Sequence, residues 1–206
     1  MPPPPEPFDA LTHLLAGGSG LNRVHHQSRE ATAFNPGRGM PTRFAPFNVD
    51  GAPIPTLYAA ASATAAVCES ILHDVPLSGG LLPAARYEQY VESGLRVTRD
   101  LRLAMLKGEG LRRLGVSPQQ LTATEGDVYG STVHWARAAH AAGFEGVVWM
   151  SARDNSAEAY MLFGDRVAAD DLMITAEGAG RLGVGTDGFR WLSAYCSLVK
   201  VDVLLE

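Results

Sequence analysis

Cysteine is scarce in this chain of 206 residues, which contains only Cys68 and Cys196. Two cysteines cannot build the disulfide framework that holds small secreted proteins together. Each of the two stands among apolar residues, so we expect both to be small buried side chains. The sequence therefore favours a reducing, cytoplasmic environment.

Basic residues and long apolar runs are also few. Lys and Arg number 17 against 22 Asp and Glu, which gives a net charge of −5. Nucleic-acid binding needs cations to neutralise phosphates, so this balance argues against a nucleic-acid partner. No run reaches the roughly 18 apolar residues that cross a bilayer, and the N-terminus lacks the basic and then apolar pattern of a secretory signal. We expect no membrane association.

The remaining composition is that of a folded protein, with 46% hydrophobic and 19% charged residues. Proline dominates residues 1–7, which predicts a disordered, extended and unpacked lead-in. No internal repeat and no long linker follows. We therefore predict one domain over residues 8–206.

The first half of the chain alternates between loop, strand and helix signals. Glycines and prolines predict an irregular loop over residues 35–55, and a loop of this length is usually functional. Residues 54–59 have the pattern of a short strand. Ser62 then stands where a helix N-cap belongs, ahead of a predicted helix over residues 63–73.

Strand signals dominate the second half. Alternating apolar residues predict one long strand over 95–105. Ser131 is predicted to cap a helix that runs to Ala142 and is closed by Gly143. The apolar run 146–150 predicts a buried strand with residues 160–163 as its hairpin partner, and the alternation from Leu198 to Leu204 predicts a terminal strand. Runs of strands with few helices indicate an α+β fold.

Glu69 is the most informative single residue. It is the only charged residue in the predicted helix from Ala63 to Leu72, whose faces are otherwise almost entirely apolar. A carboxylate on a buried helix must find a partner or a cleft, because burying an unpaired charge is costly. A structural ion pair and a functional carboxylate are both compatible with this pattern.

Three further side chains could bind a ligand. Arg43 follows the glycine- and proline-rich loop, and its guanidinium, left free by an anchoring Phe44, could hold phosphate oxygens; a solvated loop arginine is the alternative. Tyr58, at the end of a strand, could pack on a cationic ring or could be a half-buried strand residue. Ser151 ends the buried strand without a nucleophile-elbow motif, so we interpret it as a ligand contact or a structural residue. The histidines lack metal-ligand spacing, which argues against a metal site.

Several stretches together resemble the RES domain, a family of bacterial toxins named for arginine, glutamate and serine. The resemblance covers about residues 21–165. The matching stretches are Arg23-Val24, Phe34-Asn35-Pro36, Arg43-Phe44, Leu57-Tyr58-Ala59-Ala60, Glu69, Asp127-Val128-Tyr129-Gly130, and Gly146 to Ser151.

The resemblance implies an α+β fold related to ADP-ribosyltransferase toxins, with mixed or antiparallel sheets and surrounding helices. It implies NAD as the substrate, with no further cofactor, and cleavage of the nicotinamide–ribose bond by hydrolysis, by phosphorolysis or by transfer of ADP-ribose to a target protein. It also implies a cognate antitoxin as partner. By position, Glu69, Arg43 and Tyr58 take catalytic roles, and Arg43, Tyr58, Ser151 and Arg23 bind NAD.

The chain departs from the family pattern in three places. The interval between Arg43 and Tyr58 is longer than in many members, Phe44 replaces a tryptophan, and Ala159-Tyr160 stands where an asparagine is frequent. A catalytically silent RES-like module that binds a protein partner is therefore the alternative function. An RNA-cleaving toxin is disfavoured by the acidic charge balance.

Overall fold

The computed structural model describes residues 1–124 and 129–206. The five α-helices in this part of the chain are α1 (Ala63–Cys68), α2 (Glu109–Arg113), α3 (Pro118–Leu121), α4 (Tyr129–Ala141) and α5 (Asp187–Leu198). The strands are β1 (Thr12–Leu15), β2 (Gly20–His26), β3 (Asn48–Val49), β4 (Ala52–Pro53), β5 (Thr56–Ala60), β6 (Gly80–Leu82), β7 (Tyr90–Val97), β8 (Leu101–Leu106), β9 (Gly146–Met150), β10 (Glu158–Phe163), β11 (Leu172–Ile174), β12 (Gly180–Arg181) and β13 (Val201–Val203).

A mixed sheet organises the fold. In the described part of the chain its strand order is β1-β8-β9-β10-β5-β2-β7-β11, with β12 also paired to β7. Among the described strands of this sheet, only β8 and β9 run parallel, and the helices α2, α3 and α4 connect them. Two further pairs lie outside it, the parallel pair β6–β13 and the hairpin β3–β4. The predicted α+β class is confirmed.

The strand β9, inside the sheet, is formed by a continuous apolar run of residues. β9 is buried on both faces, as expected for a strand flanked on each side by another strand and covered by other elements. Its first residue must be glycine, since a Cβ at Gly146 would lie 2.3 Å from the carbonyl oxygen of Met161 on β10. The predicted strand 146–150 and its antiparallel partner are therefore confirmed.

Two predicted elements are wrong in their extent. The alternating stretch 95–105 is not one strand, because a turn at residues 98–100 separates β7 from β8. The Arg99 side chain at this turn bonds to Asp171 and Glu145. The end of the chain forms α5 up to Leu198 and only then the short strand β13.

Helix α4 begins earlier than predicted. Ser131 lies in its first turns, since the helix already includes Tyr129. Its end agrees with the prediction, because Gly143 has a φ of +88°, which glycine adopts without steric cost. Trp135 of α4 is fully buried against one face of the sheet.

The proline-rich lead-in is irregular but not unpacked as predicted. The carbonyl oxygen of Pro2 accepts a hydrogen bond of 3.2 Å from Nε1 of Trp135. Phe8, which follows it, packs edge-on against Trp135 and Phe144. An indole N–H buried in an apolar cluster needs an acceptor, and the backbone of residue 2 supplies it. The two cysteines are free and buried, as predicted.

Candidate active site

Glu69 lies at the end of a short buried helix. Ser62 caps α1, since its Oγ accepts a hydrogen bond of 3.1 Å from the backbone N–H of Ala65. The helix ends at Cys68 with Glu69 as its C-cap, so the predicted continuation to residue 73 is wrong and the chain instead makes turns. A carboxylate is electrostatically disfavoured at a helix C-terminus. The stability of the helix therefore does not explain why a glutamate stands at position 69.

Ser151 holds the carboxylate of Glu69. It follows β9 directly and is fully buried, and its Oγ donates a hydrogen bond of 2.6 Å to Oε1 of Glu69. The same Oγ accepts a hydrogen bond of 3.1 Å from the backbone N–H of Asp154 in the turn after the strand. The turn thus fixes the hydroxyl, and the hydroxyl fixes one carboxylate oxygen.

Arg43 is buried rather than free. Only 6% of its surface is exposed, and Nη1 donates hydrogen bonds to Oγ1 of Thr124 at 2.6 Å and to the Thr124 carbonyl oxygen at 3.2 Å. Its guanidinium carbon stands 5.3 Å from the centre of the Tyr129 ring, within cation–π range. Nε has no hydrogen-bond partner among the described residues. Phe44 is fully buried, which confirms its role as the loop anchor.

Tyr58 supports the backbone on both sides of Arg43. Its hydroxyl forms a hydrogen bond of 2.8 Å with Oγ1 of Thr42 and accepts one of 3.1 Å from the backbone N–H of Phe44. Burial raises the pKa of this hydroxyl above its ordinary value, so it remains protonated. The tyrosine ring meets Trp149 edge-on with ring centres 6.1 Å apart.

Three of these four side chains line one cleft of about 710 Å³. Arg43, Tyr58 and Glu69 line it, whereas Ser151 lies behind Glu69 and reaches the cleft through that carboxylate. The other lining residues are Met40, Pro41, Thr42, Ser70, His73, Asp74, Tyr129, Trp149 and Arg153. A cleft of this size is within the range of small-molecule and cofactor sites.

The family model of the RES domain matches residues 21–180. The chain belongs to the RES domain family. Among solved structures, a chain of the "Crystal structure of the M.tuberculosis MbcT-MbcA toxin-antitoxin complex" matches with a TM-score of 0.61 and 16% sequence identity. The match covers 87% of this chain and 90% of that chain, and it shows a shared fold. No curated protein matched the sequence.

Arg23 of this RES domain does not lie in the cleft. It alternates on β2 with Asn22 and Val24, so its side chain points to the opposite face of the strand. There Nη1 donates a hydrogen bond of 2.6 Å to the carbonyl oxygen of Ala31, and only 8% of the residue is exposed. Burial, together with the nearby Arg29, lowers the pKa of Arg23 to about 10. The structure thus assigns it a packing environment apart from the other predicted site residues.

A chain of polar side chains that the sequence analysis did not identify supports the cleft wall. The Tyr129 hydroxyl bonds to Nε2 of His73 at 2.8 Å, and Nδ1 of His73 bonds to Asp74 at 2.9 Å. Asp74 also pairs with Arg86 at 3.0 Å. The hydrogen bond from His73 is the main cause that lowers the pKa of Asp74. Tyr129 belongs to the quoted motif 127–130, of which residues 127 and 128 lie outside the described residues.

Neither a metal-ligand cluster nor a membrane-spanning helix is present in the described part of the chain. In residues 1–124 and 129–206, no group of three or more His, Cys, Asp and Glu side chains could hold a metal ion. None of the helices described for this chain has the length and apolar character to cross a membrane.

Proposed function

We propose that this RES domain cleaves the bond between nicotinamide and ribose in NAD. The observation that carries the proposal is the hydrogen bond of 2.6 Å between Ser151 and Glu69, which orients a carboxylate at a cleft that also contains a buried arginine. The reaction class includes an NAD glycohydrolase, an NAD phosphorylase and an ADP-ribosyltransferase. Each requires the same bond cleavage.

Glu69 is the residue that promotes this cleavage. Nicotinamide departs as a neutral molecule from a cationic ring, so the leaving group needs little acid assistance. Positive charge develops on the ribose as an oxocarbenium ion, as in glycoside hydrolysis. A carboxylate held in a fixed position stabilises that charge most strongly in the transition state. Ser151 acts through Glu69 as a positioning residue.

Arg43 and Tyr58 bind and orient the substrate in this proposal. Arg43 lines the cleft, and a guanidinium is a strong donor to pyrophosphate oxygens. The aromatic face of Tyr58 packs on the nicotinamide or the ribose, while its hydroxyl keeps the segment around Arg43 in position. Both residues contribute mainly by positioning.

We further infer that the protein is the cytoplasmic toxin of a bacterial type II toxin–antitoxin pair. Membership of the RES domain family supports this role, as does the fold shared with a chain of a toxin–antitoxin complex. The proposed partners are NAD, an antitoxin and, for a transferase, a target protein. The alternative is a catalytically silent module that only binds a protein.

The decisive test is to incubate the purified protein with NAD and to measure released nicotinamide, with Glu69→Gln as the control. The proposal expects release that falls at least about 100-fold in the variant, because the amide cannot stabilise the cation. Equal circular dichroism and melting temperature would show that the variant is folded. No release from the folded wild type, with or without added proteins of the host extract, would favour the silent module.

A further inference from the structure

A small cavity of about 40 Å³ adjoins Glu69 on the side of β2 and β10. We call it the inner chamber. Tyr58, Glu69, Ser70 and Trp149 border both the chamber and the cleft. The residues that line the chamber but not the cleft are Asn22, Val24, Ala59, Ala66 and Ala159.

The size and the polar groups of the inner chamber suit water. A single water needs about 10–15 Å³ of such space and two to four polar partners. Trp149 is 1% exposed, and its Nε1–H has no hydrogen-bond partner among the described residues. Ser70 donates its own hydrogen to the carbonyl oxygen of Ala66, so its Oγ lone pairs can still accept. Asn22 adds an amide and Glu69 a carboxylate.

The charge of the inner chamber disfavours the other acceptors. Among the described residues that line it, Glu69 carries the only charge, and no Lys, Arg or His is present. A phosphate dianion there would meet a carboxylate without a compensating cation, which is electrostatically costly. A protein side chain would have to pass the cleft and then fit a space close to the size of a few water molecules.

We propose that the inner chamber holds the water that attacks the ribose, so that the protein acts as a hydrolase of NAD. This inference rests on the proposed function. A bond forms between the water oxygen and C1′ of the ribose while the bond from C1′ to the nicotinamide nitrogen breaks. The electron pair of that bond neutralises the pyridinium, and the water proton passes to the carboxylate of Glu69. The products are ADP-ribose, nicotinamide and a proton.

Asn22 lines two cavities, of which the inner chamber is one. The other is a separate cavity of about 350 Å³, which it lines together with Ala63, Gly178, Ala179, Asp187 and Trp191. This outer cavity shares no lining residue with the substrate cleft.

The test separates the acceptor from the cleavage itself. Wild-type protein is incubated with NAD in buffers with and without phosphate, and in both cases with methanol as a small neutral competitor of water. Nicotinamide reports the cleavage, while ADP-ribose, phosphorylated ADP-ribose and methyl ADP-ribose report the acceptor. The proposal expects ADP-ribose as the main product in both buffers. Phosphorylated ADP-ribose as the main product in phosphate would overturn it.

Variants of the chamber wall then test its location. Val24→Ala enlarges the chamber by two methyl groups and should raise the ratio of methyl ADP-ribose to ADP-ribose by at least about 10-fold, the lower end of the discrimination that one methylene provides in an apolar pocket. Val203→Ala makes the same change on β13, away from the chamber, and should leave the ratio unchanged. Asn22→Ala is a second enlargement on an incompletely buried position, with the same expected direction.

The outcomes remain distinguishable. Absence of nicotinamide from the wild type contradicts the proposed function and the inference with it. Normal nicotinamide release with an unchanged product ratio in folded Val24→Ala and Asn22→Ala contradicts the inference alone. A ratio that rises in both chamber variants and not in Val203→Ala supports it.

Discussion

The hydroxyl of Ser151 donates a hydrogen bond of 2.6 Å to Oε1 of Glu69, although 82 positions separate the two residues in the sequence. The contact joins the end of β9 to the end of α1, two elements with no direct connection in the chain. It converts a carboxylate at an unfavourable helix position into one with a defined orientation. The relationship makes Ser151 a positioning residue for Glu69.

Ser151→Ala should lower kcat for nicotinamide release by about 10- to 100-fold, because the carboxylate loses the donor that orients it. The KM for NAD should change much less, since Ser151 does not line the cleft. Ser156→Ala is the matched control. The hydrogen bonds of Ser156 go to Asp154 in the same turn, whereas that of Ser151 goes to Glu69, so this variant should retain wild-type turnover. Equal loss in the two variants would indicate that only the turn matters.

Tyr129 should contribute to substrate binding through its ring more than through its hydroxyl. Tyr129→Leu removes the aromatic face below the Arg43 guanidinium and should raise the KM for NAD roughly 3- to 30-fold, the range of a cation–π contact. Tyr129→Phe retains the ring and loses only the bond to His73, so its KM should stay close to that of the wild type. Steady-state kinetics of both variants measure the KM for NAD. A KM that rises more in Tyr129→Phe than in Tyr129→Leu would contradict the assignment of the main role to the ring.

Tyr58→Phe should weaken NAD binding indirectly. The variant keeps the ring but removes the hydroxyl that bonds to Thr42 and to the backbone of Phe44, on either side of Arg43. We expect the KM for NAD to rise about 3- to 10-fold, as for the loss of one or two ordinary hydrogen bonds. Calorimetric titration with NAD in the Glu69→Gln background measures the binding directly. Unchanged affinity would show that Arg43 keeps its position without this support.

Arg23 should matter for stability and not for NAD binding. Arg23→Met leaves the buried carbonyl oxygen of Ala31 without its donor, which costs about 1–3 kcal/mol of unfolding free energy. The KM for NAD should not change. Arg29→Met, at an exposed position on the same segment, should have little effect in either measurement. A KM for NAD that rises in Arg23→Met but not in Arg29→Met would show that Arg23 does contribute to NAD binding.

Glu92 should make the stability of the protein depend on pH. This residue of β7 is 1% exposed, its Oε2 accepts a hydrogen bond from the backbone N–H of Ala179, and burial raises its pKa. As pH rises through the ordinary glutamate range near 4.3, the unfolded chain loses this proton first, while the folded protein retains it. The free energy of unfolding therefore falls with rising pH until the folded carboxyl also ionises.

Glu92→Gln removes this dependence, since the amide is neutral at every pH. The variant should be more stable than the wild type at neutral pH, and the difference should vanish below the ordinary glutamate pKa. Denaturant unfolding at a series of pH values measures it. Glu88→Gln, at an exposed neighbouring position, should show no such difference. A Glu92→Gln variant that is less stable at neutral pH would mean that the ionised carboxylate is stabilising.

The elements that could be predicted are those whose signals are local. The apolar run of β9 and its hairpin partner β10 form as expected, because burial on both faces requires apolar residues at every position. The start of α1 could also be predicted, because the hydroxyl of Ser62 caps a backbone N–H only three residues further along the chain. Helix α5 was missed although Thr186 caps it in the same way, with Oγ1 accepting from the N–H of Phe189, because the glycines before it indicate only turns.

The amino-acid sequence alone is enough to identify the kinds of side chain available, the α+β class and the resemblance to the RES domain. It also identified Glu69 as a charge that needs a partner. The tertiary structure decided which side chains meet. Strand alternation cannot tell which neighbour a strand will have, so residues 95–105 divide between β7, which pairs with β2, and β8, which pairs with β1 and β9.

The two arginines illustrate the same limit. Arg23 and Arg43 are equal in chemistry, and both precede an apolar residue. The pleat of β2 turns Arg23 away from the cleft, whereas the bonds of the 42–44 segment to Tyr58 keep Arg43 beside it. Ser151 meets Glu69 only because a sheet and a helix end pack together. The chemistry of each side chain can be read from the sequence one residue at a time. Which side chains come together depends on long-range packing, which local patterns do not specify.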